Sequence, residues 1–152
     1  MHIEASCHCG AVRFSCEAYA PAPYLRCHCS ICRKLGGGGG YAINLGARAE
    51  SLRVEGEEHL SSYVVKGNTA ERKFCRHCGS MLWAFDPTWP DLIHPFASAV
   101  DSDLPEPPEA VHMMLGSKAN WVRVDARDGE TVFEEYPDQS LEDWHRAHGF
   151  LG

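Results

Sequence analysis

The chain has 152 residues, a formal net charge of −7, 44% hydrophobic residues and 23% charged residues. That length suits a single domain over residues 1–152, able to bury roughly 70% of the surface its unfolded chain exposes. The acidic balance argues against a nucleic-acid surface, which needs a basic face, and no stretch approaches the ~20 apolar residues of a membrane span.

The N-terminus, Met1-His2-Ile3-Glu4-Ala5-Ser6-Cys7, has neither the basic head nor the apolar run of a secretion signal, so a cytoplasmic location is expected. Strand signals dominate from there on. Val12, Phe14 and Cys16 alternate with Arg13, Ser15 and Glu17, the two-residue period of a half-buried strand. Further short strands are predicted over Tyr41–Leu45, Ser51–Val54, Leu60–Val65, Met81–Phe85, Ile93–Val100, Val111–Leu115, Trp121–Val124 and Thr131–Glu135. Turn residues such as Lys66-Gly67-Asn68 and Asp128-Gly129 separate them. The pattern predicts an all-β, mainly antiparallel fold. One short C-terminal helix is predicted from Leu141 to about Ala147, with Ser140 as its N-cap.

Seven of the eight cysteines lie in three tight clusters: Cys7-His8-Cys9-Gly10, Cys27-His28-Cys29-Ser30-Ile31-Cys32 and Cys75-Arg76-His77-Cys78-Gly79. In a reducing compartment such spacing reads as metal binding rather than as a disulfide framework. A structural zinc takes four protein ligands; a catalytic zinc takes three and keeps a position for water or substrate. Seven cysteines divide as four and three, which predicts two zinc ions per chain.

The first and third clusters both end in Cys-Gly, as a knuckle requires when the residue after the ligand turns sharply. Cys7, Cys9, Cys75 and Cys78 are therefore expected to hold a structural zinc. The middle cluster supplies only Cys27, Cys29 and Cys32, from a turn entering a helical loop. Its alternatives are an open zinc site, a second closed site completed by Cys16 or a histidine, and a metal-free redox group. Cys16 shares the apolar face of Val12 and Phe14, where a cysteine acts as a small hydrophobe. His8, His28 and His77 sit between ligands and are expected to face outward or to hydrogen-bond locally. The run Gly36-Gly37-Gly38-Gly39-Gly40 follows at once; it reads either as a flexible loop or as backbone bared for a ligand carboxylate, with Gly36 and Gly37 as candidate contacts.

The ordered set Cys-x-Cys-Gly, Cys-x-Cys-x-x-Cys and Cys-x-x-Cys-Gly resembles the glutathione-dependent formaldehyde-activating enzyme family, which includes centromere protein V-type members. Phe74-Cys75-Arg76-His77-Cys78-Gly79-Ser80 matches its third block. Asp101 to Pro105 with His112, then Ser117-Lys118-Ala119-Asn120-Trp121, matches its C-terminal block, so the resemblance runs from about residue 5 to 125. Asn120 stands where the family usually has proline.

The resemblance implies a β-tent fold, a structural zinc at Cys7, Cys9, Cys75 and Cys78, and a catalytic zinc at Cys27, Cys29 and Cys32. It also implies carbon–sulfur lyase chemistry that joins glutathione and formaldehyde. On this reading the partner is a small thiol or its aldehyde adduct, and zinc stabilises the thiolate and polarises the aldehyde. Lys118 is a further candidate for a substrate carboxylate, and His28 and His112 are candidates for proton transfer. The competing readings are a zinc-stabilised binding module without catalysis and a thiol redox protein resembling zinc-bearing methionine sulfoxide reductases. The sequence leaves the oligomeric state open.

Overall fold

In a computed structural model, the described residues are 1–19, 24–36, 38–106, 110–124, 131–138, 143, 146 and 147. They fall into two compact units, one of Met1–Tyr19 with Asn44–Pro105 and the other of Ala20–Ile43 with Glu106–Gly152.

The first unit carries two antiparallel sheets. In one, β1 (His2–Ser6) and β6 (Arg53–Glu55) flank β2 (Arg13–Glu17). The other has five strands in the order β5-β10-β9-β8-β7, from Ala47–Arg48, Leu92–Pro95, Met81–Phe85, Glu71–Cys75 and Leu60–Val64. Period-two alternation buries Ile3 and Ala5 of β1 together with Phe14 and Cys16 of β2. They join Leu82, Trp83 and Ile93 in one apolar core, where the Phe14 and Trp83 rings meet edge-on at 4.8 Å.

The second unit contains a four-stranded sheet ordered β12-β11-β3-β4, from Thr131–Val132, Ala110–Met113, Tyr24–Cys27 and Ala42–Asn44. Here β11 runs parallel to both β3 and β12. The helix α1 (Ser30–Gly36) follows β3 directly and carries Cys32 on its buried side.

The architecture is the mainly antiparallel β fold expected, with local differences that have plain causes. The apolar run Ile93–Val100 is a strand only as far as Pro95; Phe96 still donates its N–H to Leu82 O at 3.0 Å, and a 3-10 turn then closes over Ala97–Ala99. Trp121–Val124 is no strand. Val122 donates its N–H to Ala119 O at 3.1 Å, and the Lys118 ammonium takes the carbonyls of both residues. A 3-10 turn at Ala49–Ser51 moves the strand predicted over Ser51–Val54 on to Arg53–Glu55. The sequence reading missed β1, β3, β5 and β8; the last is charged along most of its length and is held between β7 and β9. Of the predicted C-terminal helix, Asp143, Arg146 and Ala147 are described and are helical; its N-cap Ser140 lies outside the described residues. Among the described residues no helix is long and apolar enough to cross a membrane.

His94 on β10 gives the first unit a pH response. Its Nδ1–H donates to Leu45 O at 3.1 Å. Burial pushes its pKa below the ordinary value, and the Leu45 carbonyl and the Asp86 carboxylate offset this only in part. The unfolded chain therefore takes up this proton more readily than the folded one. His94's contribution is complete above about pH 6.5 and is lost as the pH falls toward its lowered folded-state value. Urea midpoints at pH 7.5 and 5.5 are expected to show a decline that is shallower in a His94→Gln variant.

Candidate metal centres

Two knuckles build the four-cysteine group in the first unit. After β1, Gly10 donates its N–H to Cys7 O at 3.1 Å and adopts φ +80°. After β8, Gly79 donates to Cys75 O at 2.8 Å and adopts φ +76°. Residues with side chains rarely occupy that left-handed region, which explains glycine after each pair. The turns aim backbone N–H groups at sulfur: Val12 N–H to Cys7 Sγ at 3.3 Å and His77 N–H to Cys75 Sγ at 3.4 Å. Ser80 links the two knuckles. Its hydroxyl accepts the His8 N–H at 3.0 Å and lies 3.2 Å from Cys78 Sγ.

All four sulfurs lie within 4.8 Å of one another, with Cys7–Cys9 at 3.6 Å and Cys9–Cys75 at 3.7 Å. Four thiolates about 2.3 Å from a central zinc form a tetrahedron with edges of about 3.8 Å, so the group fits the ion. The Ser80 hydroxyl and the N–H groups of Cys9 and Ser80 pull the Cys78 thiol down to about 5. At Cys9 the Ala11 N–H favours the thiolate, yet desolvation and the neighbouring sulfurs push the thiol up to about 11. Neither His8 nor His77 joins the group; the His77 Nε2 instead meets His59 Nδ1 at 2.8 Å.

The three-cysteine group lies wholly in the second unit. Cys27 ends β3, Cys29 stands in the connection, and Cys32 lies in the first turn of α1, which brings the three sulfurs within 4.8 Å of one another. Cys27 and Cys32 are buried and Cys29 is partly exposed. Ala42, Met113 and Met114 pack around them. Cys32 donates its N–H to Cys29 Sγ at 3.3 Å. The Cys27 and Cys32 thiols also donate to Cys29, which holds Cys29 far below the ordinary thiol range and raises Cys27. Three sulfurs this close suit one thiolate-loving cation.

Met114 adopts φ 60°, the one non-glycine residue with positive φ among the described residues. Its N–H is tied to Glu135 O at 2.8 Å, and its side chain packs against the thiols. Such a conformation costs about 1–3 kcal/mol and persists because its surroundings fix it.

The other expected residues are placed differently. Cys16 is 1% exposed in the apolar core and belongs to neither group; burial raises its thiol to about 11. Lys118 turns its ammonium onto the carbonyls of Ala119 and Val122, at 3.4 and 3.1 Å. Gly36 ends α1, and Gly37 lies outside the described residues. Within the glycine run the tightest constraint falls on Gly40, where a Cβ would lie 2.1 Å from Val122 Cγ2. Gly38 faces open space. His28 departs from expectation most: it is 1% exposed, faces neither outward nor a hydrogen-bond partner, and packs 5.2 Å from the Tyr41 ring. Its burial depends on Tyr41 and on strand β11, which no local signal in the sequence announces. Gly40→Ala is expected to lower stability by more than about 1 kcal/mol and Gly38→Ala by less than about 0.5 kcal/mol, as read from urea unfolding.

A family profile described as "Glutathione-dependent formaldehyde-activating enzyme" matches residues 2–124. A Halomonas elongata protein named "Putative glutathione-dependent formaldehyde-activating enzyme" is 55% identical over 153 residues, covering 98% of each chain. A Rhodobacter sphaeroides protein of known crystal structure superposes with a TM-score of 0.58 at 33% identity, over 68% of this chain and 92% of that one. The chain therefore belongs to the glutathione-dependent formaldehyde-activating enzyme family.

Proposed function

We propose that the chain is a zinc-dependent carbon–sulfur lyase acting on the adduct of a small thiol, glutathione in type, with a small aldehyde such as formaldehyde. The observation that carries this reading is the contrast between the two cysteine groups. One offers four sulfurs at tetrahedral spacing; the other offers three, two buried and one partly exposed. Zinc held by Cys27, Cys29 and Cys32 would supply a Lewis acid and a stable home for a fourth, exchangeable sulfur. The family name and that of the Halomonas relative point to glutathione and formaldehyde as the pair.

The chain's own residues prepare that site. The Cys32 N–H donates to Cys29 Sγ and favours its charged form. Ala42, Met113 and Met114 make the surroundings apolar, which strengthens electrostatic interactions within the site. Arg33 Nε donates to Ser117 O at 3.2 Å and fastens α1 to the turn after β11. The reaction needs little more. The substrate thiol gives up its proton, its sulfur attacks the aldehyde carbon, and the carbon–oxygen π bond opens. The oxygen then takes up a proton; the reverse sequence cleaves the adduct. Cys7, Cys9, Cys75 and Cys78 take no part and hold the fold.

The two groups should respond differently to the same substitution. Cys78→Ser is expected to lower the melting temperature by about 10 °C or more, because a structural zinc contributes folding free energy. Cys32→Ser should leave melting largely intact while abolishing exchange between free and thiol-bound ¹³C-formaldehyde, followed by NMR with glutathione. Equal melting losses in the two variants would leave a purely structural protein and reject the lyase.

A further inference from the structure

A second polar group in the same unit has no role in the chemistry described so far. Arg26 and His112 are register partners across the parallel β3–β11 pair. His28, just past the end of β3, donates its backbone N–H to Met113 O at 3.1 Å and prolongs that pairing. Alternation along β3 puts Arg26 on the face opposite Cys27. The Arg26 guanidinium lies 5.4 Å from the centre of the Tyr41 ring, and the His28 ring lies 5.2 Å from Tyr41 and 6.3 Å from His112.

The group is short of acceptors. Both ring nitrogens of His28 and the Nε of Arg26 are buried without a hydrogen-bond partner. Among the described residues no carboxylate pairs with Arg26 or Lys118. Buried donors and cations are ordinarily satisfied, so a cluster of this composition is missing an anionic acceptor. His28 is buried, while Arg26, Tyr41 and Lys118 are half-buried.

We propose that Arg26, His28 and Lys118 form a pocket for a carboxylate, with a ring N–H of His28 donating from the floor and the two cations at the rim. A carboxylate supplies up to four lone-pair sites and suits both the planar guanidinium and a single N–H donor. The proposal rests on the lyase reading only for its natural occupant, a carboxylate of the substrate thiol; a free small carboxylate is the other source.

The test is calorimetric titration of the zinc-loaded full chain with S-methylglutathione, which keeps the carboxylates but has no thiol. Its dimethyl ester and acetate serve as comparisons. S-methylglutathione should bind, and the ester should bind at least tenfold more weakly. Arg26→Met and His28→Leu should each weaken the acid at least tenfold with zinc content and melting unchanged, while Arg26→Lys keeps most of the affinity. Acetate matching S-methylglutathione would support the pocket and make a free carboxylate its occupant. Ester and acid binding alike, affinity unmoved in folded Arg26 and His28 variants, or no binding of either carboxylate at millimolar concentration would overturn the proposal. If a variant fails to fold, the acid–ester comparison in the unaltered chain still decides. Carboxylate binding without formaldehyde exchange would reject the lyase and keep the pocket, whereas exchange without carboxylate binding would do the reverse.

Discussion

Everything in the first unit's cysteine group turns on like-charge repulsion among sulfurs brought too close to stand alone. Sulfurs 3.6 and 3.7 Å apart would repel as thiolates by about 4 kcal/mol per pair at an effective dielectric constant of about 20. Backbone N–H groups and the Ser80 hydroxyl offset part of that, but they are partial charges. A divalent cation at the centre reverses the sign of the whole sum. With such an ion, metal binding and folding would be one event, joining the end of β1 to the hairpin of β8 and β9.

The same physics with one sulfur fewer gives a different kind of site. Three thiolates from one short segment would also call for a cation and would leave a position on it open. Cys27 and Cys32 are fixed from β3 and α1, while Cys29 stays partly exposed. The helix start, the strained Met114 and the Arg33–Ser117 link all bear on this segment rather than on the four-cysteine knuckles. Structural support is thus concentrated where a ligand could come and go.

Much of this was legible because the informative patterns are local. The spacing within each cysteine cluster and the glycine after the knuckle pairs follow from ligand geometry over a few residues. So do the strands β2, β4, β7 and β9, whose apolar patterning is contained in their own sequence. What could not be read depends on distant partners. The parallel pairing of β3 with β11 joins segments more than eighty positions apart, and β8 hides as a charged run whose place is set by its two neighbours. Lys118 looks free in the sequence, yet two backbone carbonyls, one and four residues further on, claim the ammonium. His28 is hidden for the same reason, since only the tertiary fold buries it against Tyr41.

The most direct test is metal content per chain, measured by mass spectrometry on protein purified without chelator and then incubated with zinc. Two tightly held zinc ions are predicted, with Cys32→Ser retaining one. A value of one that added zinc does not raise would show that the three-cysteine group holds no metal, and would contradict the division into a structural and a catalytic centre.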